Sequence, residues 1–202
     1  MRVLEIFNSL QGEGVWSGVP MTFVRLAGCN APQVGLGCVR WCDTPGSWDP
    51  SAGRAMSPAE IARRVSLPRV CVTGGEPLLQ GEELRVLVST LRAGGARVHL
   101  ETNGTLPLPA GLALDWVTVS PKPPAYTVSA GIGRVDEIKV VVQKDLQADV
   151  VQALAATHPE ALVSLQPEAG EAPGSTLQAI ELVMAHPHWR LSLQLHKLLG
   201  LR

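Results

Sequence analysis

Residues 70–104 read VCVTGGEPLLQGEELRVLVSTLRAGGARVHLETNG. Val70–Thr73 is a short apolar run closed by Gly74-Gly75, the signature of a strand covered on both faces. Leu84, Leu87, Val88 and Leu91 then recur at helical spacing within Glu82–Ala93, and Gly94-Gly95 stops that helix. Val98–Glu101 is the next strand. Strand, helix and strand in this order make the crossover unit of a parallel sheet.

The pattern extends both ways. Upstream, Thr22–Leu26 reads as a strand, and Ser57-Pro58-Ala59-Glu60 starts a helix that runs to about Val65, with Ser57 as cap and Glu60 completing a capping box. Downstream come strands Trp116–Val119 and Glu137–Val142, a helix Leu146–Ala156, a strand Leu162–Gln166, a helix Leu177–Ala185 and a last strand Leu191–Leu195. Between Val119 and Glu137 the chain is rich in Pro and Gly and has no helical pattern. The expected class is α/β with a largely parallel sheet. With one helix missing, any barrel is incomplete.

The totals narrow the function classes. The 202 residues suit one domain, 1–202. Apolar residues at 46% and charged residues at 17% exclude a disordered chain, and a net charge of −1 gives no nucleic acid a reason to bind. No apolar run spans a bilayer, and Met1–Leu10 is interrupted by Arg2, Glu5 and Asn8, so no membrane and a cytoplasmic location are expected.

Unusual residues follow the strands: Gly28-Cys29-Asn30, Gly74-Gly75-Glu76-Pro77, Thr102-Asn103-Gly104, Ser120-Pro121-Lys122 and Gln166-Pro167-Glu168. Parallel α/β folds bind ligands at the carboxyl ends of their strands, so all five segments are expected at one rim. Cys29, Cys38 and Cys42 lie in an irregular loop with Gly28, Pro32, Gly35 and Gly37. Three thiolates can hold a [4Fe–4S] cluster and leave one iron open, and a zinc ion with a fourth ligand fits the spacing equally well. Cys71, inside a strand, reads as an inert buried thiol, and no histidine but His196 is given a role.

Gly74-Gly75-Glu76-Pro77 downstream of three loop cysteines resembles the radical S-adenosylmethionine superfamily. Several further motifs resemble the 7-carboxy-7-deazaguanine synthase family. They are Ser9-Leu10-Gln11-Gly12-Glu13-Gly14, the run Phe23 to Asn30, Trp41-Cys42-Asp43-Thr44, Glu101-Thr102-Asn103-Gly104, Ser120-Pro121-Lys122, Leu165-Gln166-Pro167 and Gln194-Leu195-His196-Lys197. They occur in the family's order, from the first ten residues to the last. One departure concerns the cysteines. The superfamily pattern is Cys-x3-Cys-x2-Cys, whereas eight residues separate Cys29 from Cys38 and three separate Cys38 from Cys42. Cys42-Asp43-Thr44 aligns, so the extra residue falls beside Cys38, where a bulge can absorb it.

The resemblance implies a radical S-adenosylmethionine core, a partial TIM-like barrel with a shortened helix set. It implies a ring contraction of 6-carboxy-5,6,7,8-tetrahydropterin to 7-carboxy-7-deazaguanine with loss of ammonia, a lyase step on the route to the tRNA nucleoside queuosine. In that reading a 5′-deoxyadenosyl radical removes a hydrogen from the pterin C6. Cys29, Cys38 and Cys42 hold the cluster, and Thr44 binds Mg²⁺. Gly75, Glu76, Ser120, Pro121 and Lys122 contact S-adenosylmethionine. Leu10, Gln11, Gly12, Glu13, Arg25, Thr73, His196 and Arg202 line the substrate. Without the resemblance, Thr44 is a loop hydroxyl capping backbone and Arg25 an arginine paired with an acid. The family further implies a flavodoxin or ferredoxin as electron donor and a homodimer. Two alternatives stand beside it: another radical S-adenosylmethionine enzyme, such as a glycyl-radical-activating protein, and a zinc-stabilised binding protein.

Overall fold

A computed structural model describes residues 1–201. Nine strands form one sheet in the order β3-β1-β2-β4-β5-β6-β7-β8-β9. They are β1 Arg2–Leu10, β2 Pro20–Leu26, β3 Arg54–Ala55, β4 Arg69–Gly74, β5 Arg97–Thr102, β6 Trp116–Val119, β7 Glu137–Val142, β8 Leu162–Pro167 and β9 Trp189–Leu191. From β2 through β9 every pairing is parallel, while β1 pairs antiparallel with β2 and β3. The edges β3 and β9 do not pair with each other, so the barrel stays open.

Strand periodicity divides the sheet into two faces of different chemistry. Val24, Val72, Leu100, Val119, Val140 and Leu165 point outward and are fully buried. Helices α2 (Gly81–Ala93), α3 (Ala148–Thr157) and α4 (Gly174–Ala185) lie along the sheet, and Leu84, Leu87, Val88, Val151 and Ala179 join the same core. The alternate residues point into the barrel: Arg25, Cys71, Thr73, His99, Glu101, Thr118, Glu137 and Lys139. The five-residue helix α1 (Pro58–Ala62) carries the expected capping box, with Ser57 accepting from the Glu60 amide and the Glu60 carboxylate accepting from Ser57.

The expected missing helix is missing. Only a 3-10 turn, Ala130–Ile132, interrupts the chain between β6 and β7. Residues 103–115 have no helix either, and there Leu106, Leu108, Leu112 and Leu114 pack on the core in place of a helix face.

Four expectations need correction. α1 ends at Ala62 and not near Val65. The final strand is β9, Trp189–Leu191, and not Leu191–Leu195; past Leu191 the chain turns, with the Ser192 amide donating to the Leu165 carbonyl, and forms a short helix α5 (Leu195–Leu198). The strand β1 was not expected, because its side chains do not alternate cleanly between apolar and polar. Its pairing supplies the order: Phe7 opposes Phe23, with their rings stacked 5.2 Å apart. The two-residue β3 is too short to leave a pattern.

Leu100 lies at the centre of the outer core with no exposed surface. Leu100→Ala is expected to cost about 2–5 kcal/mol, measured by urea unfolding, because the packed helix above cannot collapse into the space.

Candidate active site

The carboxyl ends of the strands open into one cavity of about 360 Å³. All five segments expected at one rim reach it, through Cys29, Gly74 with Gly75, Thr102 with Asn103, Ser120 with Lys122, and Gln166 with Glu168. Glycine geometry brings the first two together. Gly74 has φ +127, and a Cβ there would sit 2.2 Å from the Leu26 carbonyl oxygen; a Cβ on Gly75 would sit 2.1 Å from that of Gly28. The Gly75 amide donates to Leu26 O at 3.0 Å and the Glu76 amide to Gly28 O at 2.8 Å. Only backbone fits between the loop after β4 and the loop after β2.

Cys29, Cys38 and Cys42 all line the cavity, and all four cysteines of the chain are free. Burial raises the Cys29 and Cys38 thiols, and each thiol feels charge on its neighbours. Among the described residues these three sulfurs do not form a group whose ligand atoms all lie within 4.8 Å of one another. A tetrahedral zinc ion with bonds near 2.3 Å would draw its sulfurs to about 3.8 Å apart. The wider spread suits a multi-iron cluster better than a single ion. The extra residue beside Cys38 is taken up by a 3-10 turn, Gly37–Arg40, whose first amide donates to the Pro123 carbonyl at 2.6 Å.

Thr44 lines the same cavity and makes no side-chain cap. Its Oγ1 lies 3.7 Å from Cys42 Sγ. Lys122 Nζ donates to Ser120 Oγ at 2.6 Å and lies 5.5 Å over the Trp41 ring; burial holds its pKa below the usual lysine value.

Glu76 does not line the cavity. Its carboxylate is fully buried and accepts from the Leu78 amide, Thr102 Oγ1 and the Asn103 amide. Oε1 accepts two of these bonds and Oε2 one, so Glu76 ties the loop after β4 to the loop after β5, and Gly75 presents backbone to the cavity. Pro121 also lies behind the wall, while Ser120 and Lys122 reach it.

The substrate candidates converge on the same cavity: Leu10, Gln11, Gly12, Glu13, Arg25, Thr73 and His196 all line it, and Arg202 lies outside the described residues. Arg25 is both paired and available, with Nε 2.9 Å from Glu5 Oε1 and its guanidinium over the Phe7 ring. Gln11 Nε2 donates to Glu101 Oε1 at 2.9 Å, and Thr73 Oγ1 to Glu101 Oε2 at 2.9 Å. A Cβ on Gly12 would meet His196 Nδ1 at 1.9 Å, so the glycine leaves the space that the histidine ring fills.

Sequence reading missed the charge at the centre. Lys139 of β7 projects into the barrel and pairs with Glu13. Burial would raise the Glu13 carboxyl, but the Lys139 charge and hydrogen bond, with a bond from Gln194, outweigh it and hold the pKa at about 2. The same pairing raises Lys139 above its usual range against the opposing effect of burial. A lysine in a buried strand was the available signal, since such a residue needs a partner. The C-terminal helix closes over this pair. Gln194 Nε2 donates to Glu13 at 2.7 Å and Asp43 at 3.1 Å, Lys197 Nζ donates to Asp43 at 2.9 Å, and the Leu195 amide donates to Gly12 O at 2.8 Å.

No family model matches the chain. It is 42% identical over 204 residues to a 7-carboxy-7-deazaguanine synthase of Bacteroides thetaiotaomicron, covering 100% of this chain and 98% of that protein. The chain belongs to the 7-carboxy-7-deazaguanine synthase family. Relatives of the same name from Synechocystis and Bordetella pertussis are 35% and 38% identical, each covering at least 98% of this chain and 93% of the relative. The crystal structure of QueE from Escherichia coli is similar at a TM-score of 0.75 and 31% identity, covering 96% of this chain and 94% of that one.

Two predictions follow from this geometry. Gly75→Ala is expected to abolish iron uptake on reconstitution, because the methyl cannot share space with the Gly28 carbonyl; iron per chain measures it. Lys139→Met is expected to destabilise the fold by about 3–5 kcal/mol at neutral pH, since it leaves Glu13 buried without its partner. The native Glu13 pKa is depressed, so its pairing stabilises above the unfolded value of 4.5 and that stability is lost as pH falls from 4.5 toward 2. In the variant, burial raises the Glu13 pKa instead. The gap between the two proteins in denaturant unfolding therefore narrows as the pH is lowered from neutral.

Proposed function

We propose that the chain catalyses the S-adenosylmethionine-dependent radical ring contraction of 6-carboxy-5,6,7,8-tetrahydropterin to 7-carboxy-7-deazaguanine with loss of ammonia, a carbon–nitrogen lyase step in queuosine biosynthesis. The observation that carries the reading is one cavity lined both by three thiols and by polar and charge-paired side chains.

Cys29, Cys38 and Cys42 would hold a [4Fe–4S] cluster, with S-adenosylmethionine against Gly75, Ser120 and Lys122. When bound, the two together supply the radical that takes hydrogen from the substrate. The chain's own residues bind and orient. Gln11, Glu13 and Glu101 offer acceptors for the amine and ring N–H groups of a pterin, and Arg25 offers a guanidinium for its carboxylate. Lys139 keeps Glu13 ionised, as an acceptor at neutral pH. His196 and α5, latched through Gln194 and Lys197, exclude water from the site.

Thr44 would bind Mg²⁺; its hydroxyl is a hard oxygen donor that faces the cavity and caps no backbone. A small one-electron donor such as a flavodoxin or ferredoxin would serve the cluster. The whole chain would act as one catalytic domain in the cytoplasm, in keeping with four free cysteines. Among the described residues no helix is long and apolar enough to cross a membrane. A homodimer is supported by α4, where Leu177, Ile180 and Met184 are 58%, 41% and 77% exposed along one stripe.

Anaerobic reconstitution is expected to give about four irons per chain and a brown chromophore. Cys38→Ala should lose both, and incubation with the carboxy-tetrahydropterin and S-adenosylmethionine should yield the deazaguanine. A colourless, iron-free protein that makes no product would overturn the reading. Thr44→Ala should remove the response of turnover to Mg²⁺, and Met184→Glu should shift sedimentation from dimer to monomer.

A further inference from the structure

Behind the cavity wall at Glu101 lie two side chains, Cys71 and His99, that the proposed reaction leaves unused. Cys71 of β4 pairs in register with His99 of β5, and Glu101 follows on the same face. Cys71 Sγ, a ring nitrogen of His99 and a carboxylate oxygen of Glu101 all lie within 4.8 Å of one another. Cys71 and His99 are buried, at 0% and 6% exposure, and Glu101 lines the cavity above them.

The hydrogen bonds determine which nitrogen of His99 is free. Trp116 Nε1 donates to Thr118 Oγ1 at 3.1 Å, and Thr118 Oγ1 donates its only proton to Glu137 Oε2 at 3.0 Å. The 2.9 Å contact between His99 Nε2 and Thr118 Oγ1 therefore needs the proton on Nε2. That leaves Nδ1 as a bare lone pair, buried and without a hydrogen-bond partner. An orphaned buried acceptor is costly, and an imidazole oriented through its other nitrogen is how proteins present histidine to a metal. Burial lowers the His99 pKa to about 4, against the pull of Glu101, so the ring is neutral at ordinary pH. Burial works to raise the Glu101 carboxyl, but Lys139, His99 and the Thr73 hydrogen bond together hold it below its usual value.

We propose that Cys71, His99 and Glu101 form a binding site for a thiophilic divalent cation of the zinc class, behind the cavity wall at Glu101 and separate from the cysteine loop. One sulfur, one neutral imidazole and one carboxylate suit a borderline-soft ion. Binding replaces the Cys71 S–H bond with a metal–sulfur bond and releases that proton to solvent. Thiolate and carboxylate then balance the ion's two charges. The Lys139 ammonium, which faces the cluster, is already met by Glu13. Three protein ligands leave a fourth position toward the cavity for water. Glu101 also receives Gln11 and Thr73, so an ion held there disturbs the substrate wall and inhibits turnover; that consequence rests on the proposed reaction, whereas the site does not.

The test uses the cluster-loaded protein, incubated with Zn²⁺, desalted, and analysed for both metals and by zinc-edge X-ray absorption. The expected result is about one zinc per chain, with unchanged iron and a single sulfur near 2.3 Å. Cys71→Ser and, independently, His99→Gln should each weaken zinc binding by more than about tenfold while iron stays bound. Circular dichroism checks that each variant is folded, and either one suffices. No retained zinc, zinc with three sulfurs at the expense of iron, or equal binding by a folded variant would overturn the site. Failure of the cluster reading is distinct: iron would then be absent before zinc is added.

Discussion

Lys139 stands in the middle of a sheet whose other face is largely apolar, and its charge has to be met from inside the barrel. Glu13 meets it, from the loop that follows β1. That single pairing draws the N-terminal loop across the open barrel, and the C-terminal helix then closes on the same carboxylate through Gln194. Glu101, His99 and Glu137 surround the pair on neighbouring strands and take hydroxyl or amide partners on the inner face, with only Nδ1 of His99 left unpartnered. An inner face of this kind costs stability compared with an apolar one of the same shape. It is retained where the chemistry takes place.

A division of labour follows from strand alternation. Outward residues of β2 and β4 to β8 pack the core against three helices, and their alternates supply Arg25, Thr73, Glu101, Thr118, Lys139 and Gln166 to the cavity wall. The rim adds what strands cannot: thiols on an irregular loop, and glycines that let two loops approach to backbone distance. Glu76 shows how the two are joined. Its buried carboxylate holds the loop after β4 against the loop after β5, so that Gly75 can present backbone to a ligand.

The parts of the fold that could be read early share one trait: their signal is local. Helix α2 has apolar residues at helical spacing and a double-glycine stop, α1 has its capping box, and β6 and β7 are recognised to the residue. The missed β1 has no such alternation. It is a strand because β2 and β3 flank it and because Phe7 stacks on Phe23, both long-range facts. The end of the chain was misplaced for the same reason. Residues after Leu191 have strand-like composition, but Ser192 is drawn to Gln166 and Gly14, and Leu195 to Gly12.

The sequence by itself determined the alternating α/β order, the missing helix before β7, the convergence of five post-strand segments and the three thiols among them. Each depends on residue type and on spacing along the chain. Only packing in three dimensions shows that the Glu76 carboxylate is buried between two loops, that Arg25 is both paired and exposed to the cavity, and that Lys139 and Glu13 meet. It also brought Cys71, His99 and Glu101 into one group from two strands. Those facts depend on register between strands and on which buried charge finds which partner. Neither is encoded in any short stretch of residues.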